Sequence, residues 1–195
     1  MTLTQNEKKV LRLIASSILD RSINEIAKEC KLAPNGAYKI LIKLEKEGIL
    51  KAKQIANLRS FRLDFEHPKT NPLLTLAFMP DKLSERVQIR AEDFKPLKEI
   101  TQVCILFGSY ARAKEQPKDL DILFVLDAKS LELYKKKLAL AQDRIPVKIH
   151  DVIQTKEDMV KNLKKNDPII IETIRNGILL WGFEVIVQVI RNANE

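Results

Sequence analysis

The chain has 195 residues, 45% hydrophobic and 31% charged, with a formal net charge of +8. That length fits one large domain or two small ones, and the composition allows a buried core in a soluble protein. The apolar runs, such as VCILFG and GILLWGF, are too short to span a bilayer, and no charged-then-apolar leader opens the sequence, so a cytoplasmic protein without membrane segments is expected. Cys30 and Cys104 each sit in apolar patterns far apart and are expected as buried free thiols. With only His67 and His150 available, a Cys/His zinc site and a Ser-His-Asp triad both lack partners. Residues 1–68 carry 13 basic and 8 acidic side chains, a net +5, whereas the remaining 127 residues, with 21 basic and 18 acidic, hold +3. The excess positive charge is concentrated toward the N-terminus, which favours an anionic partner there.

Leu3, Val10, Leu11, Ile14 and Ile18 recur at helical spacing, and Thr4 with Glu7 forms a capping box, predicting a helix from residue 4. Ser22 with Glu25 repeats the device before a short second helix that turns Ile26, Ala27 and Cys30 inward. A third helix is predicted from Pro34 to a C-terminal cap at Gly48, with Tyr38, Leu41 and Leu44 as its apolar stripe and Tyr38 in the core. Asn35, Lys39, Lys43 and Lys46 fall on its other faces. ILKAK and the alternating RSFRL then predict a two-stranded hairpin around QIAN, residues 54–57.

Three helices followed by a basic hairpin over residues 2–65 resemble a winged helix-turn-helix domain of the kind found in archaeal and bacterial regulators. In that family the third helix enters the major groove of DNA and the wing meets backbone phosphates. The resemblance implies nucleic-acid contacts from Asn35, Lys39, Lys43, Arg59 and Arg62. Winged helices also serve as dimerisation or protein-contact modules, so DNA, RNA and protein partners all stay open.

Pro68, Pro72, Pro80 and Pro96 punctuate residues 67–100, read as a helical connector with a short helix over Leu73 to Phe78 and a second helical stretch over 82–100. QVCILFGS then predicts a buried strand that stops at Gly108 and Ser109 and turns into a helix. Exposed N–H groups at such a turn suit a phosphate. Eleven residues later, Asp119 and Asp121 open the apolar run DLDILFVLD. In a strand, residues i and i+2 share a face, so the two carboxylates point the same way. Like charges this close repel unless a cation sits between them, and such oxygens suit Mg²⁺; a solvated strand end is the alternative.

Together these segments resemble the nucleotidyltransferases of the DNA polymerase beta superfamily, especially the minimal nucleotidyltransferases, over roughly residues 83–185. Gly108, Ser109, Ala111, Arg112, Asp119 and Asp121 match a signature of Gly-Ser-x-Ala-Arg-Gly, a short gap and Ser-Asp-x-Asp. Ala113 stands where glycine is usual, and Lys118 where serine is usual. The resemblance implies a third carboxylate on a later strand. PVKIHDVIQ, after a helix over residues 129–144, offers Asp151 for it; an acid in an otherwise apolar and basic strand also needs a partner. His150 is expected on the opposite side of that strand from Asp151 and is assigned no catalytic role.

The implied activity is transfer of a nucleotidyl group from a nucleoside triphosphate to a protein, an RNA end or a small molecule. Two Mg²⁺ ions, with Mn²⁺ as the alternative, would be held by Asp119, Asp121 and Asp151. Gly108, Ser109 and Arg112 would hold the nucleotide phosphates. A protein partner such as a helical toxin is also implied. The competing expectation is a regulator or antitoxin-like protein whose transferase fold only binds a nucleotide or a partner.

The expected fold class is thus α+β. A winged helix-turn-helix domain occupies residues 1–66, a connector 67–100, and an α/β nucleotidyltransferase domain with a mixed sheet 101–195. Further helices are predicted over 155–166 and from Pro168 to Gly177, and Trp181 is expected in the core.

Overall fold

The computed structural model describes residues 2–55, 58–112 and 117–195. Ala56 and Asn57 of the hairpin turn, and Ala113 of the signature, lie outside the described residues.

Helix α1, Gln5–Ala15, starts where its capping box predicts: the Thr4 hydroxyl accepts the Glu7 N–H, and the Glu7 carboxylate accepts the Thr4 N–H at 2.7 Å. A two-residue strand β1, Arg21–Ser22, leads into α2, Ile23–Cys30, which is capped in the same way by Ser22 and Glu25. Helix α3, Pro34–Lys46, has proline in its first turn and closes through Gly48 at φ +76°. Its buried stripe is Ala37, Leu41 and Leu44. Tyr38 is 44% exposed, so the expectation of a core tyrosine is corrected. Ala37 has the i, i+4, i+7 spacing with Leu41 and Leu44, and the next residue is turned about 100° around the helix.

Strands β2, Leu50–Ile55, and β3, Leu58–Leu63, pair antiparallel, and β1 adds to the far edge of β3, giving the order β1-β3-β2. Phe61 and Leu63 turn into the core while Arg62 stays exposed, as alternation predicts.

After α4, Thr70–Phe78, and α5, Glu85–Phe94, Pro96 falls in a single 3₁₀ turn. The remaining elements are β4, Val103–Leu106; α6, Gly108–Ala111; β5, Asp119–Val125; α7, Leu131–Gln142; β6, Lys148–Gln154; α8, Lys156–Lys164; α9, Pro168–Asn176; β7, Ile178–Trp181; and α10, Phe183–Asn194. Four of these strands form a mixed sheet in the order β6-β5-β4-β7. β5 runs antiparallel to β4 and parallel to β6. The chain is therefore mixed α and β, and no helix among the described residues is long and apolar enough to cross a membrane.

The period-two pattern of β5 divides the core. Leu120, Ile122 and Phe124 face a cluster with Phe94, Leu97 and Tyr134, in which Phe124 meets the rings of Phe94 and Tyr134 edge-on at 5.9 and 5.3 Å. Leu123 and Val125 face the second cluster, where α8, α9 and α10 contribute Met159, Ile174 and Ile186. That cluster continues through Leu73 and Leu74 of α4 to Val10, Leu11 and Ile14 of α1. Cys30 and Cys104 are both buried free thiols, and burial pushes both up in pKa.

Polar contacts reinforce this junction. The half-buried Arg12 guanidinium of α1 donates to the Ile174 carbonyl at 3.1 Å and to that of Gly177, at the open end of α9. Burial lowers its pKa to about 10. Glu29 of α2 pairs with Arg175 of α9 at 2.5 Å.

Candidate functional site

The site begins where β4 ends. Gly108 adopts φ +65°, in the left-handed region, and a Cβ there would fall 2.0 Å from Oδ2 of Asp121. Glycine is thus required twice: for the backbone turn and for the close seat of a carboxylate on its Cα. The Phe107 N–H donates to the Asp121 carbonyl at 3.0 Å, and the Ser109 N–H donates to the Asp121 carboxylate. The short helix α6 is tied in this way to the first residues of β5. Sequence proximity of Gly108-Ser109 to Asp-x-Asp is therefore converted into direct contact.

Asp119 and Asp121 lie on one face of β5, two residues apart, and are half-buried. Burial and the neighbouring Asp119 raise the Asp121 carboxyl above its ordinary value, while His150, the Ser109 N–H and Arg112 work against that rise. Lys118, at the departure from the signature, is exposed just before the strand.

The expected carboxylate trio is not brought together. In the parallel ladder, Asp121 stands opposite His150, and Asp151 stands opposite Ile122. Register neighbours share a face, so His150 is on the side of the two carboxylates and Asp151 is on the side of Ile122. His150 Nδ1 lies 3.6 Å from Asp119 Oδ2 and 3.8 Å from Asp121 Oδ1. Ligand atoms of Asp119, Asp121 and His150 all lie within 4.8 Å of one another; among the described residues no such group joins Asp151 to the pair.

Asp151 has another partner. It accepts a 2.9 Å hydrogen bond from the Tyr134 hydroxyl, whose residue is fully buried between α7 and β5. A buried hydroxyl needs an acceptor, and Asp151 supplies it. Burial and this carboxylate push the Tyr134 hydroxyl far above the usual phenol range. One signal in the sequence pointed this way: Ile149 and Asp151 are i and i+2, so an inward Ile149 carries Asp151 to its own face.

Arg112, expected at the nucleotide, pairs with Glu172 of α9 at 2.8 Å, a contact no local pattern announced. Of the basic side chains expected at nucleic acid, two are engaged within the protein. Lys43 binds Glu7 of α1 at 2.7 Å, and Arg59 donates to both carboxylate oxygens of Glu45 at 2.7 and 2.6 Å. Asn35 and Lys39 of α3 and Arg62 of β3 are exposed.

Residues 92–183 match the family model described as Polymerase beta, Nucleotidyltransferase. The match runs from the end of α5 through β7 and includes Gly108, Asp119, Asp121 and both His150 and Asp151. This part of the chain is therefore similar to nucleotidyltransferases. No curated protein and no solved structure gives a significant match.

Proposed function

We propose that the protein is a divalent-metal-dependent nucleotidyltransferase. The observation that carries this reading is the seat of Asp121 on Gly108, with Asp119 beside it on the same strand face, inside the segment similar to the family. In this reading an acceptor hydroxyl attacks the α-phosphorus of a nucleoside triphosphate. A new O–P bond forms, the bond to the bridging oxygen of the β-phosphate breaks, pyrophosphate leaves, and the hydroxyl proton is released to solvent.

The donor set fits a hard or borderline divalent cation, because two carboxylates on one face gain most when a cation relieves their repulsion. Such a cation supplies charge neutralisation for the phosphates. Asp119 and Asp121 would hold it, and Mg²⁺ is the ion the family implies. Asp121 also fixes the Gly108–Ser109 turn against β5. Arg112 is held at the rim by Glu172 and becomes available to a phosphate when it exchanges that partner.

Residues 1–66 form, in this proposal, a winged helix-turn-helix module that delivers the transferase to a nucleic acid, with Asn35, Lys39 and Arg62 as the contacting side chains. Their exposure, and the net +5 of that region, support the reading.

A second reading, nucleotide binding without transfer, is favoured by one observation: Asp151 is turned to Tyr134 rather than to the carboxylate pair. Incubation with each of the four α-labelled nucleoside triphosphates, a divalent cation and candidate acceptors separates the two. Label transfer by the wild type and none by Asp121→Asn supports the enzyme. Tight nucleotide binding without transfer supports the second reading.

A further inference from the structure

The geometry points to His150 as a protein ligand of the site's cation, which makes the site selective for a first-row transition ion over Mg²⁺. This inference rests on the metal-dependent reading above and concerns which ion the chain's own donors choose.

Three observations lead to it. First, the parallel register of β5 and β6 sets His150 directly opposite Asp121. Side chains in register on one face of a sheet meet, so the imidazole is part of the site by construction of the fold. Second, the distances suit a shared ion. Ligand atoms about 2.1 Å from one cation stand about 3.0 Å apart at right angles and about 4.2 Å apart when opposite. The 3.6 and 3.8 Å separations from Nδ1 to the two carboxylates fall between these limits and exceed a direct hydrogen bond. Third, Asp151 is engaged by Tyr134 on the other face, so it does not compete with the imidazole for that position.

The donor set is thus two carboxylates and one imidazole nitrogen. Mg²⁺ prefers oxygen donors and retained water, and gains little from a ring nitrogen. First-row transition ions accept imidazole readily, with affinities above Mg²⁺ for mixed nitrogen and oxygen sites. Coordination through Nδ1 leaves the ring proton on Nε2, the neutral form a metal ligand requires. Three protein donors would leave room for substrate phosphate oxygens on a bound cation.

The test uses Mn²⁺ as the probe on the full-length protein, because its unpaired electrons report on directly bound nitrogen. The chain has only two histidines, and His67 packs beside Gly48 in the N-terminal half, so a nitrogen signal has one source at this site. The expected result is loss of the free Mn²⁺ electron paramagnetic resonance signal on binding, with a ¹⁴N coupling in the pulsed spectrum. Mg²⁺ at tenfold excess should fail to displace the bound Mn²⁺. His150→Ala should abolish the ¹⁴N coupling and weaken Mn²⁺ binding at least tenfold, with Mg²⁺ affinity within twofold of wild type. His150→Asp should let Mg²⁺ compete at equal concentration. A ¹⁴N coupling that survives His150→Ala, or Mg²⁺ displacing Mn²⁺ from the wild type at equal concentration, would overturn the inference. If Asp121→Asn abolishes Mn²⁺ binding while His150→Ala leaves it unchanged, only the histidine assignment fails. If Asp121→Asn binds Mn²⁺ like the wild type, the carboxylate site itself fails and the parent reading with it.

Discussion

Gly108→Ala is the perturbation whose consequences the structure fixes most closely. At φ +65° an alanine carries the left-handed penalty of about 1–2 kcal/mol. The added Cβ would also meet Asp121 Oδ2 at 2.0 Å and its Cγ at 2.8 Å, closer than real contacts allow. Asp121 has a short side chain, so its carboxylate must rotate away and give up the Ser109 N–H. A hydrogen bond to a charged group contributes about 1.5–3 kcal/mol when buried, and the lower end suits this half-buried carboxylate. The sum is about 3 kcal/mol. For a protein of this size each kcal/mol moves Tm by about 2–4 °C, so a fall of roughly 6–12 °C is expected. Rotation of Asp121 should also weaken divalent-cation binding at least tenfold.

Gly182→Ala is the matched comparison. It too has positive φ, +88°, and its Cβ would lie 2.2 Å from the Gln102 carbonyl oxygen, between β7 and α10 and away from the carboxylate pair. It should lower Tm and leave cation affinity intact. Thermal melts and cation titration on both variants decide the matter. Wild-type cation affinity in Gly108→Ala would refute the claim that this glycine seats the metal-binding carboxylate.

Three further outcomes are expected. Burial alone would raise the Glu7 carboxyl, but the bonds from Lys43 and Thr4 outweigh it and hold the group below its ordinary value. A depressed carboxyl contributes stability that is full above the unfolded value, about 4.3, and is lost as pH falls through the folded value. The Tm deficit of Glu7→Gln at pH 7 should therefore shrink below about pH 4, and a deficit constant from pH 7 to 3 would contradict the assignment. At the N-terminal module, Lys39→Ala should weaken duplex DNA binding and reduce the salt slope by about 1 without changing Tm. Lys43→Ala should lower Tm as well, because buried Glu7 loses its partner. Unchanged affinity and slope in Lys39→Ala would remove α3 from the interface.

Local signals in the sequence carried far. Helix starts at Thr4, Ser22 and Pro34 follow from capping and proline rules that need only neighbouring residues. The strand ending in Gly108 and the outward pairing of Asp119 with Asp121 follow from period-two geometry. What local patterns leave undecided depends on partners distant in sequence. In KIHDVIQ either set of alternate residues can face the carboxylates, and only the register against β5 selects His150 over Asp151. The Tyr134 hydroxyl that claims Asp151 lies 17 residues away on α7. The apolar neighbours of Tyr38 suggest an inward ring, yet Ala37 fills that position and the bulky ring is left outside. Lys43 and Arg59 look like phosphate contacts by charge alone, until Glu7 and Glu45 are found beside them.

The central claim is that the Asp119–Asp121 face transfers a nucleotidyl group, and transfer of label from an α-labelled nucleoside triphosphate tests it most directly. The account predicts cation-dependent labelling of an acceptor with release of pyrophosphate by the wild type, and none by Asp121→Asn with its fold intact by circular dichroism. Equal labelling by the two proteins would contradict it.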